Sequence, residues 1–73
     1  MQIANNIKTL REQKGLSQEE LAKKAGIPRG TLSSIEVNWR MPGLETALKV
    51  SRALGITCEE LVYGKAEADN LES

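Results

Sequence analysis

Histidine and phenylalanine are missing from this 73-residue chain, while cysteine, tryptophan and tyrosine each occur once. The lack of histidine removes the commonest metal ligand, and a single Cys58 can form neither an intrachain disulfide nor a cysteine zinc cluster. Cys58 also has no imidazole base to activate it, and the sequence offers no carboxylate pair or glycine-rich phosphate loop in a suitable setting. The expected protein is therefore not an enzyme and carries no metal and no cofactor. No apolar run approaches the roughly twenty residues needed to cross a bilayer. The N-terminus has neither the basic nor the apolar region of a signal peptide. A cytoplasmic location without membrane contact is expected.

A charge excess is missing as well, since ten Lys and Arg balance ten Asp and Glu. Zero net charge argues at first against a polyanionic partner, because basic domains are the usual electrostatic signature of nucleic-acid binders. The distribution is uneven, however. Residues 1–65 carry a surplus of three positive charges, which Glu67, Asp69 and Glu72 cancel in residues 66–73. At this length the chain is one domain near the lower limit of independent folding, where roughly 60% of the unfolded surface can be buried. Every element must share one core.

Apolar spacing divides residues 1–65 into helices. Ile3, Ile7 and Leu10 recur at four and three, predicting a first helix of about a dozen residues that stops at Gly15, with Leu16 entering the core. Ser17 and Glu20 have capping-box spacing, each able to satisfy a free backbone N–H at the start of a second helix with Leu21, Ala22 and Ala25 on one stripe. Gly26 ends it in a left-handed turn that costs glycine nothing. Ile27, Leu32 and Ile35 continue as apolar positions of a third helix spanning about residues 28–37, while Arg29, Gly30, Thr31, Ser33 and Ser34 take its other faces. Asn38 stands where a left-handed C-terminal residue is expected, and Trp39 to Pro42 form a loop. A fourth helix from about Leu44 to Gly55 is expected to bury Leu44, Ala47, Leu48, Val50, Ser51 and Leu54 in part. Thr57 and Glu60 repeat the capping-box spacing ahead of a short fifth helix from Cys58 to about Gly64, carrying Leu61 and Val62. No strand is predicted. The acidic segment 66–73 has too few apolar residues to order it and is expected to be disordered.

The segment SQEELAKKAGIPRGTLSSIEV resembles the helix-turn-helix of the phage Cro and repressor family, also called the Xre family of transcriptional regulators. The resemblance extends from about Ile3 to Tyr63 and includes GLSQEELA and LETALKVSRALGIT. It implies an all-α, compact five-helix lambda-repressor-like DNA-binding domain in residues 1–65, with helices 2 and 3 forming the motif. Helix 3 is then the recognition helix, lying in the major groove of double-stranded DNA.

That resemblance nominates Gln18, Arg29, Gly30, Thr31, Ser33, Ser34, Asn38 and Arg40 as DNA-binding residues. Arg29 is the one side chain of the recognition helix able to make a bidentate contact to guanine, worth roughly 1–3 kcal/mol of discrimination, and is the first candidate for base contact, the alternative being that it touches phosphate or only solvent. Thr31, Ser33 and Ser34 offer hydroxyls to a base or a phosphate, or simply solvate the helix. Gly30 leaves out a side chain where the family often carries a base reader, and Pro28 replaces the Ser or Thr that commonly caps this helix. Gln18 and Arg40 resemble residues that grip phosphate. Arg11 and Glu36 match positions that form a partly buried structural ion pair. Trp39 can stack on a sugar, cover the core edge or meet a second subunit. The family commonly dimerises through this loop and the last helices, here Trp39, Met41, Cys58, Leu61, Val62 and Tyr63.

The implied function is a sequence-specific regulator, a repressor acting as a homodimer on a two-fold operator with half-sites about one turn apart. The alternative from another class is a protein-interaction module, such as the antitoxin of a toxin–antitoxin pair, with an unidentified protein partner.

Overall fold

A computed structural model describes residues 3–64 and shows five α-helices in chain order: α1 (Ile3–Gln13), α2 (Gln18–Ala25), α3 (Arg29–Asn38), α4 (Leu44–Leu54) and α5 (Cys58–Tyr63). The expected all-α architecture is what the structure shows, and no strand occurs among the described residues. The expected acidic tail of residues 66–73 lies outside them. Helix α1 packs on α3 and α5, α2 on α3 and α4, and α4 on α5, so each helix contributes to a single core. Ile3, Ile7, Leu21, Ala22, Leu32, Ile35, Val50, Ala53, Leu54 and Leu61 form its centre. Leu10, Leu16, Ala25, Ile27, Ala47, Ile56 and Val62 close its edges.

Local chemistry fixes where the helices start and stop. The Ser17 hydroxyl accepts from the Glu20 N–H at 3.1 Å, and the Glu20 carboxylate accepts from the Ser17 N–H at 3.0 Å. Thr57 and Glu60 repeat this arrangement at the start of α5. Gly26 adopts φ 72° after α2, and the N–H groups of Gly26 and Ile27 close on the carbonyls of Lys23 and Ala22. That conformation brings the chain round into α3 within three residues, and a Cβ atom would strain it. Ile27 therefore sits in the turn, not on α3, because α3 begins only after Pro28, whose extended backbone (ψ 143°) and ring supply no capping hydrogen bond.

Three further expectations are corrected. Asn38 is the last residue of α3, and the left-handed position belongs to Trp39, at φ 57° and ψ 30°. The Trp39 and Arg40 N–H groups both donate to the Ser34 carbonyl, which holds the helix for one residue more than the Asn38 assignment allowed. Leu44 and Leu48 are exposed, not partly buried. Positions 44 and 48 and positions 47, 50, 51 and 54 form two overlapping stripes, and only the second faces α2 and α5. Ala53, which the spacing did not select, is buried with it. Leu61, expected at a dimer surface, is fully buried in the core.

The Ser17 contacts hold the Glu20 carboxyl below the ordinary glutamate range. A depressed folded pKa contributes stability above the unfolded value, near 4.3, that is lost as pH falls through the lower folded value. Wild type is thus expected to exceed Glu20→Gln in stability at pH 7, and the gap to shrink by pH 3. Urea unfolding at both pH values measures it, and an unchanged gap would count against the box.

Candidate nucleic-acid interface

Helix α3 is anchored on one side and open on the other. Leu32 and Ile35 are buried, and the Glu36 side chain is only 2% exposed. Arg11 donates from Nε to Glu36 Oε2 and from Nη2 to Glu36 Oε1, both at 3.1 Å, and from Nη1 to the Leu16 carbonyl at 2.8 Å. Gln18 adds an amide N–H to Glu36 Oε1 at 3.2 Å. One carboxylate therefore ties together α1, the first turn of α2 and the last turn of α3. Desolvating that charge is tolerable because three donors satisfy it.

The opposite face of α3 carries exposed Arg29 and Gly30, followed by half-buried Thr31, Ser33 and Ser34. Gly30, Thr31 and Ser34 meet exposed Arg40 across an open cleft of about 330 Å³, completed by Ile35, Met41, Pro42, Gly43 and Thr46. The cleft joins α3 to the start of α4 and supplies hydroxyl donors, a guanidinium and little bulk. Arg29 and Ser33 are not among its lining residues, and Asn38 is exposed at the end of α3. Gln18 is half-buried with its amide engaged by Glu36, so any phosphate contact would use its second amide hydrogen.

Sequence reasoning missed Val37, Gly43 and Thr46. Val37 is 63% exposed and lies one turn beyond Ser33 on the open face of α3. Its spacing of four from Ser33 and seven from Gly30 was the available signal. Gly43 and Thr46 line the cleft from beyond the loop, a proximity that only the fold creates.

The residues expected at a dimer surface separate into three groups. Trp39, Met41 and Tyr63 are exposed, Cys58 and Val62 half-buried, and Leu61 buried. Leu61 cannot meet a second subunit without unpacking the core. The Cys58 sulfur lies 3.6 Å from the Ser51 hydroxyl. Among the described residues, no cluster of His, Cys, Asp or Glu could hold a metal ion, and no helix is long and apolar enough to cross a membrane.

Residues 7–61, which contain both motif helices and the cleft, match the model of a helix-turn-helix family. This chain belongs to the Xre-type helix-turn-helix family. As a member of that family it is similar to the HTH-type transcriptional regulator SinR of Bacillus subtilis. The two are 40% identical over 68 residues, which make up 92% of this chain and 61% of SinR. It is also similar to antitoxin HipB of Escherichia coli, 41% identical over 56 residues, 77% of this chain and 64% of HipB. The chain thus spans about three-fifths of each of those relatives. A crystal structure of SinR in complex with DNA superposes with a TM-score of 0.77 and 41% identity, covering 82% of this chain and 97% of that one. The Xre-type fold expected from the motif is the fold observed.

Arg11→Ala leaves the Glu36 carboxylate buried without its main partner, and is expected to lower unfolding free energy by about 3–5 kcal/mol. A paired Arg11→Met, Glu36→Leu replacement removes the charge and is expected to recover most of that loss. Denaturant midpoints test both. Equal losses in the two proteins would show that packing, not the unpaired charge, sets the cost.

Proposed function

We propose that this Xre-type protein is a sequence-specific double-stranded DNA-binding transcriptional regulator that represses as a homodimer on a two-fold operator. The observation that carries this reading is the asymmetry of α3. Its inner face is fixed by Leu32, Ile35 and Glu36, and its outer face offers Arg29 and Ser33, with Thr31 and Ser34 on the cleft that also holds Arg40. A rigid helix with an open polar face of small residues suits insertion into a major groove, where base edges distinguish all four base pairs. The similarity to SinR, solved in complex with DNA, supports the same partner.

Arg29 is assigned to base recognition and Arg40 to phosphate. Arg29 opens the helix whose first turns reach base edges, whereas Arg40 stands past its end, where the strand backbone passes. Thr31, Ser33, Ser34, Asn38 and Gln18 are assigned to hydrogen bonds with the DNA. With few long side chains on α3, part of the selectivity falls to DNA shape. Exposed Trp39, Met41 and Tyr63 remain assigned to the dimer contact, joined by Leu44 and Leu48 in place of Leu61.

The similarity to HipB, an antitoxin by name, favours a second reading in which that apolar surface serves a different protein partner. Sedimentation at micromolar concentration separates the two: a dimer supports the first, and a strict monomer both free and on operator DNA rejects the homodimer.

Selection of bound duplexes from a random pool at stated salt is expected to enrich one motif with two half-sites. Arg29→Ala is expected to relax preference at one base pair per half-site, at a cost of about 1–3 kcal/mol, and Arg40→Ala to weaken all sequences and reduce the salt slope by about one. Failure to enrich any motif rejects sequence-specific recognition, and exchanged phenotypes overturn the two assignments.

A further inference from the structure

Gly30 is the second residue of α3, exposed, and has no left-handed backbone angle to explain its presence. A Cβ atom built there meets no heavy atom within 4 Å. Nothing in the folded chain therefore calls for glycine, although glycine in a helix is less stable than alanine by a backbone-entropy term. A use for glycine at this position is to be sought outside the folded chain. Glycine's remaining use is to let a backbone approach a ligand closely.

The surroundings indicate which ligand. Gly30 lines the cleft that also holds Thr31, Ser34 and Arg40. Gly43 stands on the same cleft, again with no atom within 4 Å of its missing Cβ. Two positions without side chains thus flank one set of hydroxyl and guanidinium donors. That combination of clearance and donors fits a polyanion surface pressed against the first turn of α3.

We infer that Gly30 is a clearance position: the missing side chain lets α3 seat deeper in the DNA groove than any larger residue permits, bringing Arg29 and the hydroxyls within reach of their partners. The residue sets specificity by what it leaves out. This inference rests on the DNA-binding reading above.

Gly30→Ala separates stability from recognition, because the two are expected to move in opposite directions. In the free protein the added methyl is expected to raise the melting temperature by about 2–5 °C, since it fills open space and favours the helix. On the duplex selected by wild type, its affinity is expected to fall about tenfold or more. Its affinity for an unrelated duplex of equal length, governed by phosphate charge, is expected to change by less than about twofold. Fluorescence anisotropy on both duplexes and a thermal melt provide the readings. Unchanged or tighter binding of the selected duplex by Gly30→Ala overturns the inference and leaves the DNA-binding reading intact. A lowered melting temperature also overturns it, by showing that the fold itself needs the glycine. Loss of self-association with intact DNA affinity would assign the close approach to a second protein surface instead. If wild type binds neither duplex, the DNA-binding reading fails and the inference falls with it.

Discussion

The Glu36 carboxylate is the point on which the motif's geometry depends. It is almost fully buried, and its hydrogen-bond partners come from α1 through Arg11 and from the first turn of α2 through Gln18. Arg11 in turn secures the Leu16 carbonyl in the link between those helices. A buried charge adds little net stability compared with an apolar replacement, yet it is costly to leave without its donors. Around this carboxylate that cost links three helices at once, and with them the outer face that α3 presents. The apolar contacts of Leu21, Leu32 and Ile35 supply cohesion but tolerate more than one packing.

Much of this architecture was legible in the sequence because its rules are local. A hydroxyl three residues before a glutamate, at Ser17 and again at Thr57, marks a helix start through bonds within one turn. Gly26 and Gly55 mark helix ends because the left-handed turn is a property of the backbone itself. What failed was set by longer-range packing. Nothing within α4 decides which of its two overlapping apolar stripes faces inward; the placement of α2 and α5 does. Trp39 displaced Asn38 from the left-handed position although tryptophan is ill suited to it, and among the described residues it is the one non-glycine with positive φ. Leu61, expected at a dimer surface, is buried because α5 packs against α1 and α4.

The candidate interface divides in the same way. The outward placement of Arg29, Thr31, Ser33 and Ser34 follows from helical spacing and their DNA role from the family resemblance, whereas the cleft joining Arg40 to Gly30 across the loop, with Gly43 and Thr46, exists only once α3 and α4 are packed. The resulting surface is small and sparse in long side chains. On the proposed reading its selectivity rests on one arginine, a row of hydroxyls and the depth to which the helix can seat. The net charge is zero, because the surplus of three positive charges in residues 1–65 is balanced by Glu67, Asp69 and Glu72.

The central claim, that the open face of α3 and the cleft beside it meet DNA, is tested most directly by following backbone amide resonances while a selected duplex is titrated in. The account predicts that the largest shifts fall on residues 29–34 and on Arg40 and Gly43, with Gln18 following and the outer face of α1 silent. Shifts confined to α1 and α5, with α3 unmoved, would contradict it.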